Sequence, residues 1–272
     1  MGLRSQVIAW RLIRLAAYLA GGALLLYLAL PLIVLVLRAI EADLLQQLTQ
    51  PTVVQALRLS LLTSSLSMLI TIGCGTPLAY LLARKKVRAR PVIETLLDLP
   101  ILLPPAVAGL ALLLTFGRRG FFGPVLDTLG ISLPFTTAAV VLAETFVAAP
   151  FFIRSAQTGF ANVALHLEES ASDLGASTWH VFRRITLPLA GTALLSGAIL
   201  SWARALGEFG ATILFAGSFI GRTQTMPLAI YQALESDLNA AIAIAAILIL
   251  ISFCFLVALR LITHGRIGHP ML

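Results

Sequence analysis

The chain has 272 residues, of which 59% are hydrophobic and only 11% charged. Soluble domains carry about a quarter charged residues, so a mean hydropathy of +0.97 excludes that class and points to a membrane-embedded protein. The net charge of +7 does not mark a nucleic-acid partner, because the basic residues are dispersed at helix ends and form no stripe interleaved with aromatics.

Windows of about 20 apolar residues, enough to cross a bilayer as a helix, recur along the chain. They predict an all-α, polytopic membrane protein forming one integral domain over 1–272, with six spans near 15–37, 54–83, 98–116, 135–153, 189–216 and 239–263. The first begins after a basic N-terminus and lacks an evident cleavage site, so it reads as a retained span and not a signal peptide. The second is long and must tilt or extend beyond the hydrocarbon. The third opens with Pro100, Pro104 and Pro105, which remove backbone donors and predict a bend or break there. Broken backbone at membrane depth is tolerated where it is buried in protein or lines a water-filled path, so a pathway wall and a packing kink both fit this segment. Cys74 and Cys254 lie in apolar runs and read as small core-filling residues.

Six spans put both termini on one side. Basic loops stay cytoplasmic, and Arg4, Arg11, Arg14, Arg84, Lys85, Lys86, Arg88, Arg90, Arg154, Arg183, Arg184, Arg260 and Arg266 fall on one face, against Arg38, Arg118, Arg119 and Arg222 on the other. Both termini are therefore expected in the cytoplasm. Glu94 and Asp98, just after Pro91, read as acids favoured by the positive end of a helix.

The stretch from Asn162 to Pro188, between the fourth and fifth spans, has a different character. Ala164, Leu167, Ala171 and Leu174 recur at three- and four-residue steps and give one apolar helix face, with Glu168, Glu169, Ser172 and Asp173 on the remainder. Gly175 can take the left-handed conformation that ends a helix. Ser177 can cap a second short helix carrying Trp179, Phe182 and Ile185, before Pro188 opens the next span. Two short helices joined at a glycine make a projection that can be gripped from outside; an amphipathic helix lying on the membrane surface is the alternative.

This segment resembles the signature of ABC importer permease subunits: Glu-Ala-Ala, three residues, Gly, nine residues, then Ile-x-Leu-Pro. The chain has Glu169-Ser170-Ala171, then Gly175, then Ile185-Thr186-Leu187-Pro188, departing only at Ser170. The resemblance implies the type I importer permease fold. It also implies that Glu169, Ser170, Ala171, Leu174, Gly175, Ile185, Leu187 and Pro188 belong to a coupling helix docked in a groove of a separate ATPase. It further implies a homodimer of this chain with two ATPase subunits, which hold the ATP and magnesium, and an external solute-binding protein on the outer loops near 38–53, 117–134 and 217–238. The expected location is the inner or plasma membrane of a prokaryote, surrounded by lipid.

Late in the fifth span, Arg204 and Glu208 stand four residues apart, on one helix face where each can compensate the other. Charges at membrane depth pair or face a cavity, so a structural ion pair and a pathway role both remain open. With Pro104, Pro105, Gly207 and Gly210 these residues form the candidate translocation pathway. Gly207-Glu208-Phe209-Gly210, followed by Gly221-Arg222-Thr223-Gln224-Thr225-Met226-Pro227-Leu228-Ala229-Ile230-Tyr231, resembles the molybdate branch of the oxyanion importers, with tungstate as the near isostere and sulfate or thiosulfate permeases as the alternative. No Gly-x-x-x-x-Gly-Lys-Ser/Thr loop occurs, so no cofactor is expected in this chain and no enzyme activity. His166, His180, His264 and His269 have no metal-ligand spacing. An ion-coupled secondary transporter would be expected to carry inverted repeats around acids such as Glu144 and Glu208, and no repeat is evident.

Overall fold

A chain in hydrocarbon must satisfy its amide and carbonyl groups within each segment, which forces apolar runs into helices. The computed structural model describes residues 3–41, 44–84 and 87–267, and every regular element among them is helical. In chain order these are α1 (Leu3–Glu41), α2 (Leu44–Thr49), α3 (Pro51–Arg84), α4 (Arg90–Leu102), α5 (Pro105–Phe116), α6 (Gly123–Thr128), α7 (Thr137–Asn162), α8 (Leu165–Asp173), α9 (Thr178–Val181), α10 (Leu187–Leu189), α11 (Gly191–Leu206), α12 (Gly210–Phe215), α13 (Met226–Leu234) and α14 (Leu238–Ile267). A π-turn, Phe182–Thr186, joins α9 to α10. Lys85, Lys86 and His269 lie outside the described residues, as do the side chains of Arg4, Arg260, His264 and Arg266.

Among the described residues, four helices are long and apolar enough to cross a membrane, and two bent pairs bring the number to six if each pair is one span. The centre is α3, α7 and α11. Helices α3 and α7 run parallel: Thr63 bonds Glu144, Thr145 bonds Ser67, and Arg84 reaches the Val163 carbonyl. Buried hydroxyl residues of α3, namely Thr63, Ser64, Ser67 and Thr71, run along this part of the helix, with Thr63 and Ser67 bonded to α7. Such small side chains let backbones approach closely where lipid removes the hydrophobic drive. Helix α11 returns along α7, with Ser155 Oγ donating to the Ala193 carbonyl at 2.7 Å.

Two further cores complete the bundle. Ala108 and Leu112 of α5 pack with Val140, Ala143 and Val147 of α7 and with Ala211 and Phe215 of α12. Val53 and Ala56 of α3 pack with Met226 and Ala229 of α13 and with Ile244 and Ile247 of α14. Helix α1 lies at the edge against α14 and α2, leaving Leu19, Leu25 and Tyr27 exposed as a lipid-type surface.

Several sequence expectations are corrected. The segment expected as a third span at 98–116 begins at Arg90 and breaks between Leu102 and Pro105, where the axis turns by 116°. Leu103 is extended (φ −69°, ψ 135°), as the residue before a proline must be. The fourth span continues past 153 to Asn162, so Arg154 sits within a helix and not in a loop. The fifth, expected as one run over 189–216, is interrupted at 207–209 between α11 and α12. Glu94 and Asp98 are not in the first turn of α4. Instead Arg154 Nε donates to Asp98 at 2.8 Å, and Gln157 Nε2 donates to Glu94 at 2.7 Å, tying α4 across α7. Cys74 and Cys254 are exposed free thiols, on outward faces of α3 and α14 and not in the core.

Candidate functional site

The projecting loop is built as its sequence spacing predicts, with one shift. Ala164 and Leu174 flank α8 as its caps, so the helix proper carries only Leu167 and Ala171 of the expected apolar face. Gly175 has φ +87°. Around it Ala176 N–H bonds the Ala171 carbonyl at 3.0 Å and Gly175 N–H bonds that of Ser172 at 2.9 Å, the paired bonds of a glycine cap. Ser177 then caps α9 by accepting from His180 N–H at 3.3 Å. Trp179 stacks on Phe182 at 5.8 Å.

The expected coupling residues separate into two groups. Glu169 and Ser170 are exposed, and Leu174 is 90% and Trp179 67% exposed. Ala171, Ile185 and Leu187 are half-buried, while Pro188 is exposed on α10. Leu165 is 54% exposed, so the loop presents an exposed apolar crest of Leu165, Leu174 and Trp179, spread over α8, its C-cap and α9. Among the described residues Leu174 is left almost uncovered, while Trp179 is covered in part by Phe182.

What holds the loop was not evident in the sequence. Arg84, at the end of α3, donates through Nη2 to Glu168 Oε1 at 2.8 Å and to the Val163 carbonyl at 2.8 Å. Thr186, in the π-turn, donates to the same Glu168 oxygen at 2.6 Å. One turn earlier on α3, the Tyr80 ring meets Phe160 and Phe182 edge-on at 5.5 and 5.1 Å. Arg84 reads in the sequence only as a topology charge and Glu168 only as part of a polar face. No short-range signal joins residues 84 positions apart.

The second group of expected residues meets at mid-bundle. A Cβ placed on Gly210 would lie 2.4 Å from the Pro105 Cβ, and one on Gly109 would lie 2.8 Å from the Ala211 carbonyl oxygen. The proline break before α5 and the break before α12 are thus in direct contact. Pro104 and Gly207 are exposed at this junction and Gly210 is half-buried. Arg204 Nη2 and Glu208 Oε2 are 2.7 Å apart, with side-chain exposures of 29% and 1%. The other Glu208 oxygen accepts from Ala211 N–H at 2.8 Å. The ion pair expected between residues four apart is present although α11 ends between them, because Glu208 turns back to bridge α11 and α12. Glu144 is also buried, held by Thr63 Oγ1 at 2.9 Å.

At the opposite end from the loop, Arg118 and Arg222 line one cleft of about 490 Å³ together with Ser132 and Thr136. Thr137, opening α7, donates to the Arg222 carbonyl at 2.8 Å. Among the described residues no group of three or more His, Cys, Asp or Glu side chains could hold a metal ion, and His166 and His180 are exposed.

The family described as "Binding-protein-dependent transport system inner membrane component" matches residues 75–266. The chain is 40% identical over 235 residues to the molybdenum transport system permease protein ModB of Mycobacterium tuberculosis, covering 86% of this chain and 89% of that protein. It is 41% identical over 201 residues to the putative molybdenum transport system permease protein YvgM of Bacillus subtilis, covering 73% and 88%. A probable sulfate transport system permease protein, cysT of Zygnema circumcarinatum, is 33% identical over 256 residues, covering 93% and 88%. Among solved structures, the fold matches a chain of a bacterial ABC transporter involved in the import of the acidic polysaccharide alginate, with a TM-score of 0.75 at 19% identity over 98% of this chain and 100% of that one.

Proposed function

Because the chain belongs to the family of inner-membrane components of binding-protein-dependent transport systems, we propose that it is the permease subunit of an ATP-driven importer carrying molybdate or tungstate into the cytoplasm. The observation that carries the mechanical half of this reading is the loop. An exposed apolar crest of Leu165, Leu174 and Trp179 is carried by a loop that a largely buried ion pair fastens to α3, which is the form a handle for another subunit requires. The substrate half rests on the names of the relatives, since the molybdenum permeases match at higher identity than the sulfate permease.

The working unit is two copies of this chain with two ATPase subunits, which bind ATP and magnesium, and an external binding protein. The loop faces the cytoplasm and so do both termini. The outer end carries the cleft of Arg118 and Arg222, a basic surface suited to an oxyanion-loaded partner. ATP closes the paired ATPases, the loops move with them, and the bundle opens outward; hydrolysis resets it inward. Pro104, Pro105, Arg204, Gly207, Glu208 and Gly210 line the moving junction, where two short helices meet. A permease for sulfate is the second reading, favoured by the broader coverage of its relative.

The test is ATP hydrolysis by the reconstituted complex, with ATPase and binding protein, titrated with molybdate, tungstate, sulfate and thiosulfate. Stimulation by molybdate or tungstate, abolished by Gly175→Pro, is expected. Stimulation by sulfate alone would replace the substrate, and a wild-type chain that assembles with no ATPase would remove the reading.

A further inference from the structure

We propose that the Arg84–Glu168 pair is the mechanical link through which the loop drives the membrane helices, so that Glu168 and Arg84 are positioning residues for energy coupling. This rests on the permease reading above and goes beyond it, because the signature residues of the loop do not include either side chain.

The geometry singles the pair out. The crest of α8 points away from the bundle, with Leu174 90% exposed. Among the described residues, the only side-chain hydrogen bonds that reach residues 163–174 from outside the loop come from Arg84, to Glu168 and to the Val163 carbonyl. Thr186 adds its bond to the same Glu168 oxygen from the far arm, where the π-turn sets it fully buried. Both arms of the loop therefore converge on one Glu168 oxygen, which Arg84 holds from the end of α3. The pair is sheltered, with side-chain exposures of 11% and 13%, so water and salt screen it little. Removing one partner from such a pair leaves a charge without its counterpart.

Arg84 also stands at the end of a continuous element. From it α3 runs to Thr63, which bonds Glu144, and to Ser60, whose Oγ accepts from Met226 N–H at 2.7 Å. Displacement of the loop thus reaches both the α7 seam and the start of α13 through one helix, continuous from Pro51 to Arg84 with Pro77 inside it.

The experiment compares Arg84→Met, Glu168→Gln and the double variant in the complete transporter in vesicles, with molybdate uptake and ATP hydrolysis measured side by side. Glu168→Gln keeps the Thr186 bond, so the loop stays anchored on one arm. Each single variant is expected to assemble with the ATPase and to hydrolyse ATP, while uptake per ATP falls by roughly two- to thirtyfold, the range seen for mutations along coupled networks. The double variant is expected to be no worse than the poorer single one, as residues acting through one contact require. An unchanged ratio in both single variants would overturn the proposal. Loss of assembly, or uptake and hydrolysis falling together, would also overturn it by making the pair merely structural. Wild-type protein that assembles with no ATPase would overturn the parent reading first and this inference with it.

Discussion

The loop and the mid-bundle junction handle charge and space in opposite ways. At the loop, bulky apolar side chains face outward and the cap glycine has nothing within 4 Å of an added Cβ, so substitutions there meet open space. At the junction, Gly210 lies against Pro105 so closely that a methyl group has no room, and the Glu208 carboxylate is 1% exposed with both oxygens engaged. In the proposed permease the loop is the handle for a separate ATPase subunit. The junction is a close contact made within the chain, where α5 and α12 meet backbone to backbone. Handles therefore tolerate small changes in shape, and hinges do not.

The sharpest way to break this contrast is Gly210→Ala. The added Cβ would sit 2.4 Å from the Pro105 Cβ, and a proline ring cannot swing aside as a flexible side chain does. Overpacking of this kind costs about 1–3 kcal/mol, and here it would fall on the contact between α5 and α12. The expected outcome is membrane-inserted protein that still binds its ATPase but has lost most uptake, measured as anion accumulation in vesicles. Normal uptake would show that the junction separates during transport and that its tight packing is incidental.

How much of this was legible depends on how far apart the partners lie. The loop could be read because its determinants are local: Gly175 ends α8 and Ser177 caps α9. The break before α5 was equally legible, since Pro104 and Pro105 remove donors wherever they stand. The break at 207–209 was not, because no proline marks it and the apolar run continues through Phe215; the bend rests on Glu208 capping the next helix from within the bundle. Glu94 and Asp98 illustrate the same limit. Proximity to Pro91 suggests a dipole role, whereas their partners Arg154 and Gln157 lie far along the chain on α7.

A milder effect is expected from Gly175→Ala. A left-handed conformation costs an L-residue with a Cβ about 1–2 kcal/mol, but nothing crowds the site, so the cap is loosened without a clash. Uptake per ATP is expected to fall severalfold with assembly retained. Gly175→Asn is expected to recover most of it, because asparagine tolerates this region of backbone space. Equal damage from alanine and asparagine would mean that close approach by the ATPase, and not backbone geometry, requires glycine here.

The smallest effect on this chain itself is expected from Leu174→Ala. Its side chain is 90% exposed and the C-cap bonds at this position are made by its backbone N–H, so the substitution acts as a surface change worth less than about 0.5 kcal/mol and thermal unfolding of the detergent-solubilised permease is expected to be unchanged. Association with the ATPase is another matter, because an exposed apolar side chain that enters a partner's groove contributes roughly 1 kcal/mol or more to binding. Titration of the purified ATPase onto vesicles is expected to show weaker binding for Leu174→Ala at unaltered permease stability. Unweakened binding would place the contact elsewhere on the crest, at Leu165 or Trp179. A drop in stability would instead mean that Leu174 is covered by a second copy of this chain, and the distinction between an open handle and a closed hinge would then fail at its most exposed residue.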